Sequence, residues 1–307
     1  MRGKIAITGA AGKKSGGAFT EQLSINIDKI NEMFPNGMRI ILREHADSKK
    51  VQDALPRAEV CQGSLHDKVF LTQCFEDVDT VVHIAGIHTS VKVTEAAVEA
   101  KVRRLILIHT TGIYSKYKAA GEEYRKIDSI VKELCNKNNI VYTICRPTMI
   151  YGNVYDGNVI SFIKMVDKFP IMPVVNGAKY ELQPVHYKDL AKAYYDVLIN
   201  EEKTANREYN LSGGAPILLR DMLSVIGTNL GKKVHFISCP FVIAYIGAWF
   251  IFLISFGKID YREKVQRLCE PRTFSYEKAS NDFGYSPRTF EVGIVDEVNE
   301  YVIEKNA

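Results

Sequence analysis

The chain lacks the features that mark metal-bound, secreted or nucleic-acid-binding proteins. Its six cysteines, at 61, 74, 135, 145, 239 and 269, form no Cys-x-x-Cys pair and have no histidine at finger spacing, so neither a zinc site nor a disulfide framework is expected. No run of one charge occurs. Forty Lys+Arg against thirty-six Asp+Glu leave +4, mixed along the chain, and the basic stripe of a nucleic-acid binder is missing. Ten prolines and 21 glycines in 307 residues are too few for collagenous or low-complexity sequence, and 46% hydrophobic with 25% charged residues is a globular composition. The opening Met1-Arg-Gly-Lys-Ile-Ala-Ile-Thr8 enters a strand pattern at once, with no signal-peptide h-region. A reducing cytoplasm is the expected location.

Short aliphatic runs alternate with longer segments of helical period through residue 152, the pattern of βαβ units on a parallel sheet. Strands are predicted at Lys4–Thr8, Met38–Arg43, Ala58–Cys61, Thr80–Ala85, Arg104–His109 and Ile140–Cys145, whose unbroken apolarity suits strands covered on both faces. Helices are predicted at about 17–33, 66–76, 90–101 and 114–138, then at Asn158–Lys168 and Tyr187–Ile199, with a strand at Glu208–Leu211. The expected fold is α/β, a Rossmann-type doubly wound parallel sheet with a smaller C-terminal substrate lobe. Residues 1–152 with about 187–215 form the expected dinucleotide domain, and 153–186 with about 216–307 the interleaved lobe. Phe236–Gly257 carries no charge, and Phe241–Phe256 is almost wholly apolar. Bounded by Pro240 and Gly257 and short of the ~20 residues of a span, it is read as a core or dimer-interface helix in preference to a membrane-surface contact.

Chemistry is concentrated where strands end. The first strand runs into Thr8-Gly9-Ala10-Ala11-Gly12-Lys13-Lys14-Ser15-Gly16-Gly17, a turn whose glycines allow close backbone approach to a pyrophosphate at a helix N-terminus. Thr-Gly-x-x-Gly here resembles the fingerprint of the extended short-chain dehydrogenases/reductases, the NAD-dependent epimerase/dehydratase (nucleoside-diphosphate-sugar epimerase) family. The family's third glycine falls at Ser15, with Gly16 one residue late. Val81-Val82-His83-Ile84-Ala85-Gly86 resembles its fourth-strand motif, and Gly63-Ser64-Leu65-His66-Asp67 its adenine contact with Ser64 replacing an Asp. Arg146-Pro147-Thr148-Met149-Ile150-Tyr151-Gly152 and Gln183-Pro184-Val185-His186-Tyr187-Lys188-Asp189-Leu190-Ala191 resemble its two later motifs.

His109-Thr110-Thr111-Gly112-Ile113-Tyr114-Ser115-Lys116-Tyr117-Lys118 compresses two family motifs into one, as if a loop of roughly twenty residues were deleted. On a helix Tyr114 and Lys118 share a face, where an ammonium favours tyrosinate. The resemblance implies a catalytic trio of Tyr114 (acid/base), Lys118 and Thr110, with Thr111 the alternative hydroxyl. It implies cofactor contacts from Gly9, Gly12, Ser15, Gly16, Arg43, Ser64, Ala85, Gly86, Lys118 and Pro147, and no metal.

Rossmann proteins choose between the ribose 2′-hydroxyl and 2′-phosphate at the end of strand two. Arg43 there favours NADP over NAD, unless the strand ends a residue later and presents Glu44. His83, His109 and His186 are read as structural, with His186 helping to cap a helix. Arg262, Arg267 and Arg272 are read as surface residues, with diphosphate binding the alternative. The resemblance implies an NAD(P)-dependent oxidoreductase or epimerase of nucleotide-activated sugars, a homodimer through helices 90–101 and 114–138. A non-catalytic redox sensor and a membrane-associated sterol-type dehydrogenase are the competing readings.

Overall fold

The computed structural model describes residues 3–117, 119–169 and 171–307. Seven parallel strands form the central sheet: β1 (Lys4–Thr8), β2 (Met38–Leu42), β3 (Glu59–Gln62), β4 (Val78–His83), β5 (Arg104–Ile108), β6 (Val141–Pro147) and β11 (Arg207–Leu211). Their order is β11-β6-β5-β4-β1-β2-β3. After β3 the chain crosses back to place β4 on the other side of β1, and such a switch point, at the carboxyl ends of β1 and β4, is where sheets of this kind bind ligands.

Alternation along β1 sends its side chains to two cores. Ile5 and Ile7 join Phe19, Leu23, Tyr194 and Val197 on one side, beneath α1 (Ser15–Ile25), α2 (Ile27–Met33), α3 (Lys49–Ala54) and α8 (Tyr187–Ile199), which α9 (Glu201–Thr204) follows. Ala6 faces the opposite core of Val81, Leu105, Ala96 and Val131, under α4 (Lys68–Cys74), α5 (Ser90–Glu99) and α6 (Gly121–Lys137). Burial on both faces explains the unbroken apolar runs.

A third core gathers Tyr151, Ile163, Met222, Phe290 and Ile294. It is built by α7 (Val159–Lys168), α10 (Leu219–Asn229) and α14 (Phe290–Asn306), with three small two-stranded sheets around it. These pair β7 (Ile150–Tyr151) with β10 (Val185–His186), β9 (Glu181–Leu182) with β12 (Ile217–Leu218), and β8 (Ile171–Val175) with β13 (His235–Cys239). The remaining helices are α11 (Phe241–Ile254), α12 (Arg262–Leu268) and α13 (Glu277–Phe283).

Two expectations need correction. The helix expected from residue 114 begins at Gly121, and Thr111–Tyr114 is instead a single 3-10 turn. Ser115 is extended, which breaks the helical path after the turn, and Glu270 holds this segment by accepting from Ser115 Oγ and the Lys116 amide at 2.7 and 2.8 Å. The apolar segment is not a core helix. In α11 Ala248 alone is buried, and none of its residues belongs to the three cores. Among the described residues no helix is long and apolar enough to cross a membrane.

Candidate active site

The glycine turn is built by close approach. Gly9 has φ +81°, and a Cβ there would stand 2.8 Å from the Ala85 amide nitrogen, so the turn abuts the end of β4. The Gly12 amide donates to the Gly9 carbonyl at 3.0 Å and the Gly17 amide to Gly12 at 2.7 Å. Gly16, not Ser15, makes the tight contact: its Cβ would fall 2.1 Å from the Gly9 oxygen. Ser15 is buried as the first residue of α1. Ala11, Gly12 and Lys13 stay exposed just before the N-terminus of α1, the place where a dinucleotide pyrophosphate sits. Gly86 has φ +112° and nothing within 4 Å of its Cβ position, so the β4 end also leaves room for a ligand. Both observations fit a bound dinucleotide.

The buried His83 ring joins the two strand ends. Its Nδ1 is 2.6 Å from Thr8 Oγ1 and its Nε2 3.0 Å from the Gly86 carbonyl. Burial lowers its pKa to about 4, so it is neutral, a structural residue. β2 ends at Leu42, which makes Arg43 the first residue past the strand. Arg43 is exposed, and no ion pair holds it among the described residues. Asp67 caps α4, accepting from the Val69 and Phe70 amides at 2.9 and 3.2 Å. The adjoining Ser64 Oγ accepts from the His66 amide at 3.2 Å.

At the end of β5, Thr110 Oγ1 accepts the Gly112 amide at 3.0 Å and keeps its own proton to donate. Thr111 spends its proton on the Pro147 carbonyl at 3.2 Å. Tyr114 is 47% exposed. Its hydroxyl donates to Asn210 Oδ1 at 3.3 Å, and its ring lies 5.3 Å from that of Phe274. Phe274 is one wall of a cleft of about 470 Å³ also lined by Gln183, Pro216, Tyr276 and Asn281. Lys118 lies outside the described residues.

Behind Tyr114 sits a buried charge cluster. The Arg146 guanidinium donates to both Asp128 oxygens at 2.7 and 2.9 Å and to Glu208 at 2.5 Å, while His109 Nδ1 is 2.9 Å from Asp128 and Lys132 reaches both acids. Burial opposes ionisation of Asp128, but the His109, Arg146 and Lys132 contacts outweigh it and hold the carboxyl well below its usual range. The sequence offered one signal for Asp128: an acid inside the apolar stripe of Ile127 and Val131. Glu208, Asn210 and Phe274 gave none, because they reach the site from far along the chain.

The second family-like motif anchors the C-terminal part. His186 Nδ1 accepts the Lys188 amide at 3.3 Å, the helix cap expected of it. Asp189 binds Arg288 through its backbone amide and its guanidinium at 2.8–3.1 Å. Tyr151 is fully buried, its hydroxyl on the Thr289 carbonyl at 3.3 Å. Next to it the Gly152 amide donates to the buried Glu297 at 2.7 Å. Burial, and then Asp156, push the Glu297 pKa up to about 9. Asp156 Oδ2 and Glu297 Oε1 have no donor, and a proton kept on Glu297 supplies one. The glycine turn touches this region: Lys14 Nζ donates to the Asp156 carbonyl at 2.8 Å, and Lys13 lies 4.0 Å over the Tyr155 ring.

Of the three arginines read as surface residues, Arg272 is half-buried. Burial and Arg267 lower its pKa to about 10, and the Nε atoms of Arg267 and Arg272 both lack partners. Arg262 instead stacks on Trp249 and Phe252 at 4.3 and 3.9 Å.

Residues 36–164 match the model of the NAD(P)H-binding family. No curated protein sequence is detectably similar to the chain. Its fold matches a dTDP-glucose 4,6-dehydratase from Streptomyces venezuelae with NAD bound, at TM-score 0.73, 17% identity, and coverage of 100% of this chain and 98% of that one. A UDP-glucuronic acid 4-epimerase from Bacillus cereus matches at 0.70 and 17%, covering 99% and 100%. An NADPH-dependent quinone oxidoreductase from Escherichia coli, complexed with NADPH, matches at 0.71 and 16%, covering 97% and 99%. Strand order and matched segment agree: residues 36–164 match an NAD(P)H-binding family, and the chain shares the fold of these solved structures.

Proposed function

We propose that the chain is an NAD(P)-dependent oxidoreductase or epimerase of a nucleotide-activated sugar, using Tyr114 and Lys118 as its acid-base pair. The observation that carries this reading is the meeting of four strand ends at one crevice. There the glycine turn after β1, Ala85 and Gly86 after β4, Thr110 and Tyr114 after β5, and Pro147 at the end of β6 come together.

In this reading Gly9, Gly12, Ser15 and Gly16 hold the pyrophosphate, Arg43 and Ser64 flank the adenosine end, and Ala85, Gly86 and Pro147 line the remaining wall. A nicotinamide, when bound, supplies hydride chemistry. The Tyr114 hydroxyl passes a proton to or from the substrate oxygen, and the Thr110 hydroxyl donates to that same oxygen with the proton its cap leaves available. Lys118 is its partner in the acid-base pair and binds cofactor ribose. Thr111, committed to Pro147, is the weaker partner. Arg267 and Arg272 take the nucleotide diphosphate through their guanidinium forks. Residues 153–186 and about 216–307 close over the sugar as the substrate lobe, and Arg43 selects NADP.

A second reading, a dinucleotide-binding regulator without turnover, is favoured by the position of Tyr114 on a 3-10 turn with its hydroxyl on Asn210. One experiment separates the two: an absorbance and fluorescence scan for bound nicotinamide, then turnover on nucleotide 4-keto-sugars. Bound nicotinamide with turnover supports the enzyme; bound nicotinamide with no turnover on any nucleotide sugar supports the regulator.

A further inference from the structure

The helix α11 exposes more apolar surface than any other part of the fold. Val242, Ile243, Ile246, Phe250, Leu253 and Ile254 are each 60–64% exposed, and Phe256 just beyond is 92% exposed. At 3.6 residues per turn the exposed positions, from Trp249 round to Ile251, sweep roughly 200° of the circumference. One packed helix face buries an apolar stripe of only ~100°, so a single partner helix would leave much of α11 wet. A fluid apolar phase covers every side at once.

The apolar surface continues into the strand pair before the helix. Ile171 and Ile237 are 52% and 60% exposed, on parallel strands whose register sets His235 beside Ile171 and Ile237 beside Pro173. Asn176 Oδ1 accepts the Phe241 amide at 2.9 Å and ties the start of α11 to that sheet. Charge supports the same occupant. Leaving out Arg267 and Arg272, which are not exposed, residues 232–266 carry five Lys/Arg (Lys232, Lys233, Lys258, Arg262 and Lys264) against two Asp/Glu (Asp260 and Glu263). Lys233, Lys258 and Lys264 are exposed on either side of the helix. Such a margin suits anionic headgroups.

We propose that α11 and its basic margin dock the protein on an anionic lipid bilayer. The 14 residues of α11 rise only ~21 Å at ~1.5 Å each, short of the ~30 Å hydrocarbon core. The helix therefore enters one leaflet and does not cross. Trp249 sits between the two environments, 41% exposed, its ring 4.3 Å from the Arg262 guanidinium.

Trp249 is the only tryptophan, and it reports directly on docking. The intact protein is titrated with vesicles of phosphatidylcholine alone and of phosphatidylcholine with phosphatidylglycerol, following Trp249 emission and co-flotation. The proposal expects a blue shift and flotation with the anionic vesicles, weakened by salt. It expects at least ~10-fold weaker partitioning for Ile246→Asp with Phe250→Asp, from two charges placed in the apolar layer. Both positions are exposed, and circular dichroism confirms folding. Lys258→Glu with Lys264→Glu, which leaves the helix untouched, should selectively weaken binding to the anionic vesicles. Emission unchanged by lipid overturns the proposal, as does undiminished binding of the Asp variant. A lipid-independent blue shift that grows with protein concentration, together with a dimer mass in sedimentation, assigns α11 to a second copy and also overturns it.

Discussion

Gly16 passes so close to Gly9 that no side chain fits between them, a Cβ on Gly16 falling 2.1 Å from the Gly9 carbonyl oxygen. The contact is between backbones, which cannot swing aside as a flexible side chain would. Gly16→Ala must displace the turn, and cofactor affinity should fall at least ~10-fold. Gly37→Ala serves as control: it has φ +91° but nothing within 4 Å, so it should lose some stability and keep its affinity. Fluorescence titration with NADPH measures both. Unchanged affinity in the Gly16 variant would remove this turn from the cofactor site.

Tyr114→Phe keeps the ring against Phe274 and removes only the hydroxyl. Turnover should drop by at least ~10², the lower end of the roughly 10²–10⁴ that a positioned acid-base group contributes, while cofactor affinity stays within about twofold. Stopped-flow or steady-state rates decide it. A variant that retains full activity refutes the assigned role.

Arg43 stands immediately after β2, where a guanidinium can meet a 2′-phosphate. The ratio of kcat/KM with NADPH to that with NADH should favour NADPH in the unaltered protein and fall ~10-fold or more in Arg43→Ala, from loss of a charge-assisted hydrogen bond. A preference for NADH at the outset, or an unchanged ratio, contradicts it.

Asp128→Asn leaves Arg146, whose side chain is 2% exposed, with a buried charge compensated by Glu208 alone. Breaking one side of such a pair costs about 3 kcal/mol, read from urea unfolding. The pH dependence has a definite sign. The Asp128 carboxyl is held below its usual range in the folded state, so its contribution is present above ~pH 4, the ordinary carboxyl pKa, and is lost as pH falls below it. Stability of the Asn variant should be flatter in acid.

Glu297 titrates in the opposite sense. Its folded pKa is pushed up to about 9, so the contribution of its proton to stability is fully present below ~pH 4.3, its unfolded value, and is lost as pH rises towards 9. Glu297→Gln can keep the bond from the Gly152 amide and present an N–H to Asp156 Oδ2. The variant should be more stable at pH 8 by about 1 kcal/mol, with a shallower fall in Tm between pH 5 and 8. A less stable variant at pH 8 would mean that Glu297 is ionised.

The sheet was readable because strands buried on both faces have no polar side to disguise them: the run predicted at Lys4–Thr8 matches β1 residue for residue, and the other runs agree to within a few residues. The short helix Lys49–Ala54 escaped because six residues, with Val51 alone buried, leave no period to detect. Tyr114 and Lys118 have the spacing of a helix, yet the backbone is extended at Ser115, where Glu270, some 155 residues downstream, holds Ser115 Oγ and the Lys116 amide. No local pattern announces so distant a competitor. The α11 run shows a different limit. Apolarity says that a segment leaves water, and it does not say which apolar phase receives it.

The seventh strand has a consequence for biosynthesis. β11 pairs with β6 residue by residue from Arg207–Thr143 to Leu211–Pro147, and it brings Glu208 to Arg146. A nascent chain that has released only its first 152 residues therefore presents β6 as an unpaired edge beside a guanidinium still missing one of its two acids. At a synthesis rate of ~5–20 residues per second, that edge waits several seconds before 207–211 emerges to close it. During this interval the growing chain is most open to capture by a chaperone, or to pairing with a neighbour on the same messenger.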